Sequence, residues 1–220
     1  MYSVKEMFYT LQGEGHNSGR PAVFCRFSGC NLWSGREQDR HKAVCRFCDT
    51  DFRGTDGQGG GTFRTPEALA AQVLHLWGGN ATGGGRPLVV CTGGEPLLQL
   101  DTPLIEALQK RGFEVAIETN GTLPVPAAVD WSVVSPKAGS KIVVTRCDEL
   151  KLVFPQAMAM PSDFEYIEAR YYYLSPVVDP HRQAQDALYR NSATRSAVEY
   201  CLRNPRWRLN LQCHKILDIA

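Results

Sequence analysis

Residues 87–112 read PLVVCTGGEPLLQLDTPLIEALQKRG, an apolar run, a glycine turn and a helical pattern in succession. Leu88 to Cys91 is strand-like, Thr92-Gly93-Gly94-Glu95-Pro96 interrupts it, and DTPLIEALQKRG starts a helix. Two glycines at the end of a buried strand let a ligand approach the backbone closely. They serve a tight strand-to-helix turn equally well. The pattern recurs in FEVAIETNG (113–121), VDWSVVSPK (129–137), ELKLVF (149–154) and YYYLSP (171–176), each a short apolar strand ending in a polar cluster. Strands alternating with helices predict a parallel sheet. The clusters Glu118-Thr119-Asn120, Ser135-Pro136-Lys137 and Ser175 then fall on one rim, where such sheets build shared sites.

Upstream, AVFCRFSG (22–29) reads as a buried strand with Arg26 in its middle, a cation that needs a core partner or an anionic ligand. The stretch CNLWSGREQDRHKAVCRFCDT (30–50) leaves that strand and carries Cys30, Cys45 and Cys48. Three thiolates leave one position of a tetrahedral metal, or one iron of a four-iron cluster, open for chemistry. His41 keeps a second reading alive at this point, a structural zinc knuckle of Cys30, His41, Cys45 and Cys48. Of the eight cysteines, Cys25, Cys91, Cys147, Cys201 and Cys213 lie in apolar runs and read as small core residues.

The remaining punctuation is simpler. LQGEGHNSG (11–19) is a loop presenting Gln12, Gly13 and Glu14. RGTDGQGGGT (53–62) and GGNATGGG (78–85) lack the strand, helix and Lys-Ser/Thr context of a phosphate cradle and read as surface loops. TPEALAAQVLHLW between them is a helix capped by Thr65, and residues 181–204 read as a long helix burying Ala184, Leu188, Ala197, Val198 and Cys201. WRLNLQCHKILDIA closes the sequence as a strand and a short tail, with His214 six residues before Ala220.

Composition sets limits. A chain of 220 residues is long enough for one domain with a sizeable core, or at most two small ones, and one is the favoured reading. The 24 basic and 23 acidic residues nearly cancel, which leaves no footprint for nucleic acid or an anionic membrane. No apolar run approaches the ~20 residues that span a bilayer, and MYSVKEMFYT is not a signal peptide, so a cytoplasmic protein with reduced thiols is expected.

Taken together, the three cysteines with CDT, then TGGEP, ETNG and SPK in that order, resemble the radical S-adenosylmethionine enzymes. The x14 spacing between Cys30 and Cys45 departs from their usual CxxxCxxC. That loop, with LQGEG, CDT, TGGEP and LQCHK, is similar over nearly the whole chain to the 7-carboxy-7-deazaguanine synthase family.

The resemblance implies an α/β fold, an incomplete, elaborated TIM-like barrel of mostly parallel strands, in a single core domain spanning 1–220. Residues 31–44 are then an insertion in the cluster loop, and 54–61 and 78–85 are glycine-rich surface loops. It further implies a [4Fe-4S] cluster on Cys30, Cys45 and Cys48, whose open iron chelates S-adenosylmethionine. The reduced cluster splits that cofactor to a 5′-deoxyadenosyl radical, which takes hydrogen from C6 of 6-carboxy-5,6,7,8-tetrahydropterin. The ring contracts to the deazapurine of the queuosine route, the hydrogen returns to the cofactor, and ammonia leaves. Gly94, Ser135, Pro136 and Lys137 are expected on the methionyl side of the cofactor, Phe47 and Asp49 on the adenosyl side, and Glu118 and Ser175 as further cofactor contacts on the same rim. Gln12, Gly13, Glu14, Arg26, Thr92, His214 and the carboxylate of Ala220 are expected around the pterin, and Thr50 on a magnesium ion. The ending KILDIA departs from the family's Gly-Ile-Pro-like terminus. Expected partners are the pterin and a flavodoxin- or ferredoxin-type reductant in a homodimer. A glycyl-radical activating enzyme shares the GGEP-type chemistry but acts on a protein, and lacks LQGEG and the Thr50 position.

Overall fold

The computed structural model describes residues 1–78, 85–156, 158–177 and 191–220. β1 (Tyr2–Leu11) and β2 (Pro21–Phe27) form an antiparallel pair, and β3 (Gly61–Phe63) adds to the outer edge of β1. From β2 the sheet continues in parallel through β4 (Leu88–Gly93), β5 (Glu114–Thr119), β6 (Trp131–Val134), β7 (Arg146–Phe154), β8 (Glu168–Pro176) and β9 (Trp207–Leu209). The order β3-β1-β2-β4-β5-β6-β7-β8-β9 never reverses along the parallel strands. One-way winding keeps the crossovers on one face and gives the curl of a barrel, here left open between β3 and β9.

Local sequence fixes the helices on that outer face. α1 (Pro66–Trp77) starts where Thr65 Oγ1 accepts the Ala68 N–H at 3.2 Å, and α2 (Thr102–Gln109) where Asp101 Oδ1 accepts the Leu104 N–H at 3.1 Å. Leu69 and Val73 of α1 and Leu104, Ile105 and Leu108 of α2 are buried against Val23, Cys25, Val89, Cys91, Val115 and Ile117. A second core joins α3 (Ser192–Arg203) to β7, β8 and β9 through Ala197, Leu150, Leu152, Leu174 and Trp207.

Three expectations change. The connections from β5 to β6 and from β6 to β7 carry no helix, because Pro124, Pro126, Pro136 and Gly139 leave no run of helical length. In the expected long helix Ala197 is buried, Cys201 is half-buried and Val198 is exposed, while Ala184 and Leu188 lie outside the described residues. The tail after β9 is not extended; it winds into α4 (Cys213–Leu217).

The first glycine-rich stretch lies at the surface as expected, but it is fitted to β1. Gly57 N–H donates to Lys5 O at 2.9 Å and Met7 N–H to Gln58 O at 2.7 Å. A methyl group at Gly60 would overlap the Lys5 carbonyl. Residues 79–84 of the second stretch lie outside the described residues. Gly60→Ala is therefore expected to lower unfolding free energy by ~1–3 kcal/mol, read as a lower urea midpoint at unchanged slope.

Candidate active site

The strand period of two divides the sheet into faces. Cys25, Cys91 and Ile117 point to the helices, so Arg26, Thr92 and Glu118 point into the lumen. Below them Ala22, Leu88, Val90 and Ala116, with Phe24 and Trp131, make the inner face apolar. The lumen is thus apolar at the N-terminal ends of the strands and polar at the C-terminal ends.

Lys151 on β7 and Glu14 in the loop after β1 meet there. Lys151 Nζ lies 2.6 Å from Glu14 Oε2 and 3.3 Å from Glu118 Oε1. Gln12 Nε2 and Thr92 Oγ1 donate to the two Glu118 oxygens at 3.3 and 3.4 Å, and Gln212 Nε2 donates to Glu14 Oε1 at 2.9 Å. Burial opposes the charge on Glu14, but Lys151 and Gln212 outweigh it and hold the carboxyl down to about 2. Burial likewise opposes the charge on Lys151, and Glu118 and Glu14 reverse it, raising the ammonium well above the ordinary lysine range. His214 is pushed down by burial, with Glu14 acting against the shift.

The cysteine loop folds around its own small core. Trp33, Ala43 and Phe52 pack together with Cys30 and Cys48, and Arg40 lies 4.1 Å above the Trp33 ring while donating to Arg46 O and Cys48 O at 2.9 and 3.0 Å. Cys30, Cys45 and Cys48 line one cavity. The Cys45 thiol, directed at Cys48, lowers the latter to about 6 while the same contact pushes Cys45 up and burial pushes Cys30 up, and Leu32 N–H lies 3.4 Å from Cys30 Sγ. A thiolate-prone sulfur and a backbone donor to a second sulfur suit a cluster. His41 is exposed on the 3₁₀ stretch Glu37–Lys42, and among the described residues no three His, Cys, Asp or Glu side chains converge on a point the size of one metal ion. The zinc knuckle is not assembled. A four-iron cluster is wider than a single ion, and the donor set fits it.

Above the cysteines, Gly94 comes so close to Gly29 and Cys30 that any β-carbon would collide with their backbone and side chain. Lys137 Nζ donates to Ser135 O at 2.6 Å and lies 2.7 Å from Ser135 Oγ; burial pushes its pKa down, against the pull of Cys45. Glu95, fully buried, accepts from Thr119 Oγ1 at 2.7 Å and Asn120 N–H at 2.8 Å, tying the ends of β4 and β5 together.

Two cavities open on this rim. The first holds Phe47, Gly94, Ser135, Lys137 and Ser175 beside the cysteines, with Pro136 buried behind. The second holds Gln12, Arg26, His214 and Ala220. Glu14, Asp49, Thr50, Thr92, Glu118 and Gln212 line both. Expected cofactor and substrate residues therefore overlap along the boundary of two adjoining chambers, and Gly13 and Pro136 line neither. Arg26 already has a partner, Glu6 Oε1 at 2.7 Å from its Nε. Gly13 is a packing position, because a β-carbon there would collide with the His214 ring and backbone. Ala220 O accepts from Thr10 Oγ1 at 2.8 Å, and Lys215 pairs with Asp49 at 2.7 Å, so the tail is strapped across the second chamber.

The chain matches the family model described as the radical SAM superfamily over residues 40–134. It is 58% identical over 218 residues to the 7-carboxy-7-deazaguanine synthase of Caulobacter vibrioides, covering 99% of each chain. The chain belongs to the 7-carboxy-7-deazaguanine synthase family. The Burkholderia multivorans member is 54% identical over the same length and coverage. A crystal structure of QueE from Escherichia coli superposes with a TM-score of 0.64 at 29% identity, covering 97% of this chain and 94% of that one. A member of this family carries a [4Fe-4S] cluster and S-adenosylmethionine.

Sequence reading missed Lys151, Glu95, Glu149 and Asn210. Lys151 had a signal, since ELKLVF places a lysine on the lumen-facing side of an apolar strand. Removing it as Lys151→Met leaves the half-buried carboxylates of Glu14 and Glu118 without their shared cation, with an expected loss of ~1–3 kcal/mol in the apoprotein. Because the folded pKa of Glu14 is depressed, its contribution exists above the unfolded value of ~4.3 and fades as pH falls toward 2. The stability gap between wild type and Lys151→Met is thus expected to be full at pH 7 and to shrink below about pH 4 in urea titrations.

Proposed function

We infer that this protein is a 7-carboxy-7-deazaguanine synthase, converting 6-carboxy-5,6,7,8-tetrahydropterin to the deazapurine with loss of ammonia. The observation that carries the reading is the shared wall between the cysteine-lined chamber and the chamber under the C-terminal tail. Residues that line both chambers would hold a cofactor in one beside a substrate in the other. Strapping of the tail to Thr10 and Asp49 suits an enclosed small molecule better than a protein substrate.

When bound, cluster and S-adenosylmethionine supply the hydrogen-abstracting radical and take the hydrogen back. The chain supplies position and charge. Cys30, Cys45 and Cys48 would hold the cluster, Gly94, Ser135 and Lys137 would receive the amino-acid end of the cofactor, and Phe47 and Asp49 its adenosyl end. Glu14 and Gln12 accept from or donate to the polar edge of the pterin, Glu118 stands between it and the cofactor, and Arg26, Thr92, His214 and the terminal carboxylate of Ala220 complete its surround. Thr50, which lines both chambers, would offer one oxygen to a magnesium ion held beside the substrate carboxylate. The proposal includes a cytoplasmic, single-domain homodimer reduced by a flavodoxin- or ferredoxin-type protein. Among the described residues no helix is long and apolar enough to cross a membrane.

The test is anaerobic reconstitution with iron and sulfide, reduction, and incubation with S-adenosylmethionine and the carboxypterin, with the deazapurine read by mass. Product that depends on every component supports the reading; a reduced, cofactor-cleaving protein that makes none contradicts the substrate. Cys48→Ala is expected to lose cluster absorbance and all turnover. Thr50→Val should keep the cluster and cofactor cleavage but raise the magnesium requirement and lower kcat/KM ~10–100-fold. Normal turnover of that variant at low magnesium would remove Thr50 from the metal.

A further inference from the structure

The loop of residues 12–19 presents Gln12 and Glu14, whose side chains meet Glu118 and Lys151, and stacks the His16 ring on Trp131 and Tyr171 with centroids 5.0 and 4.3 Å apart. Gly19 N–H to Gln12 O (2.7 Å) and Gln12 N–H to Arg20 O (2.8 Å) only close it as a ring. Two buried side chains hold its backbone at Gly15 and His16. Asn210, 5% exposed, accepts the Gly15 N–H at 2.7 Å through Oδ1, and its amide hydrogens reach Ser175 Oγ at 2.8 Å and Glu14 Oε2 at 3.5 Å. Glu149, 1% exposed, accepts the His16 N–H at 3.1 Å with one oxygen and the Trp131 indole N–H at 2.6 Å with the other. Gly15 adopts φ +67°, and a methyl group there would overlap the Glu149 carboxylate, so the loop is shaped to these anchors.

Neither anchor lines either chamber; both act through other groups. We propose that Asn210 is a positioning residue that fixes the substrate loop at Gly15 and the cofactor-side strand end at Ser175 in one register, with Glu149 as the loop's second anchor. The proposal rests on the assignment of Glu14 to the substrate and Ser175 to the cofactor. Only a carboxamide meets the demand. It offers an acceptor to Gly15 and donors to Ser175 and Glu14 at once, whereas an aspartate would place a second carboxylate beside Glu14 and a leucine would leave the Gly15 N–H without a partner. Radical transfer depends on the separation of the reacting atoms, so a loop free to drift degrades substrate positioning before it degrades cofactor binding.

Asn210→Ala and Asn210→Asp separate the two contacts in two measurements. In hydrogen exchange on the full-length apoprotein, Asn210→Ala should speed exchange of the Gly15 amide tenfold or more while the β4 and β5 amides keep wild-type rates. Asn210→Asp retains an acceptor there and should stay slow. In reconstituted enzyme both variants should raise KM for the carboxypterin about tenfold, with cofactor affinity unchanged and more 5′-deoxyadenosine released per product.

Wild-type exchange at Gly15 in the alanine variant, or wild-type KM in both, overturns the proposal. So does acceleration spread evenly over β8 and β9, which marks a merely structural residue. If Asn210→Ala fails to fold, Asn210→Asp decides alone, and a wild-type KM with wild-type product ratio refutes the bridge. Wild-type enzyme that forms no deazapurine would count against the function, while exchange at Gly15 would still decide the anchoring.

Discussion

The site depends on one buried ammonium. Lys151 reaches Glu14 on the loop after β1 and Glu118 at the end of β5, joining segments more than a hundred residues apart in sequence. Burial opposes the charge on Lys151 and the neighbouring carboxylates reverse it, just as Lys151 outweighs the burial of Glu14. The cluster of charges stands at the junction of the two chambers, where Glu14 and Glu118 face both. Its polarity is confined to the upper lumen because Ala22, Leu88, Val90 and Ala116 keep the layer beneath apolar.

Close backbone approach is the second constraint. Gly94 brings β4 against Gly29 and Cys30, which sets the cysteine loop over the strand end. Gly13 admits His214, which sets the C-terminal segment over the substrate loop, and Cys213 N–H donates to Gly13 O at 3.0 Å. The sequence reading assigned both glycines to ligands. Their geometry shows an earlier duty, that of letting two chain segments meet, and ligand contact at Gly94 follows from where that meeting occurs.

Much of the architecture was legible because it rests on local signals. Strand periodicity, the Thr65 and Asp101 caps and the glycine turn after β4 each specify their element without tertiary information. The cysteines and the ordered motifs likewise pointed to one rim. Less legible was whatever depends on pairing at a distance: the partner of Arg26 is Glu6 across an antiparallel register, and the seat of residues 54–61 is the edge of β1. Asn210 in WRLNLQ carries no mark that distinguishes it from a solvated strand residue, since its partners Gly15 and Ser175 lie far away in the sequence. The missing helices after β5 and β6 were signalled by proline, and the repeat of strands obscured that signal.

The central claim is that the cysteine-lined chamber and the chamber under the tail are halves of one reaction site. Its most direct test is turnover of carboxypterin deuterated at C6, with the S-adenosylmethionine recovered and analysed by mass. The account predicts deuterium in the 5′ position of the recovered cofactor, because hydrogen passes from substrate to cofactor across the shared wall. Deazapurine formed while the cofactor stays free of deuterium would contradict it.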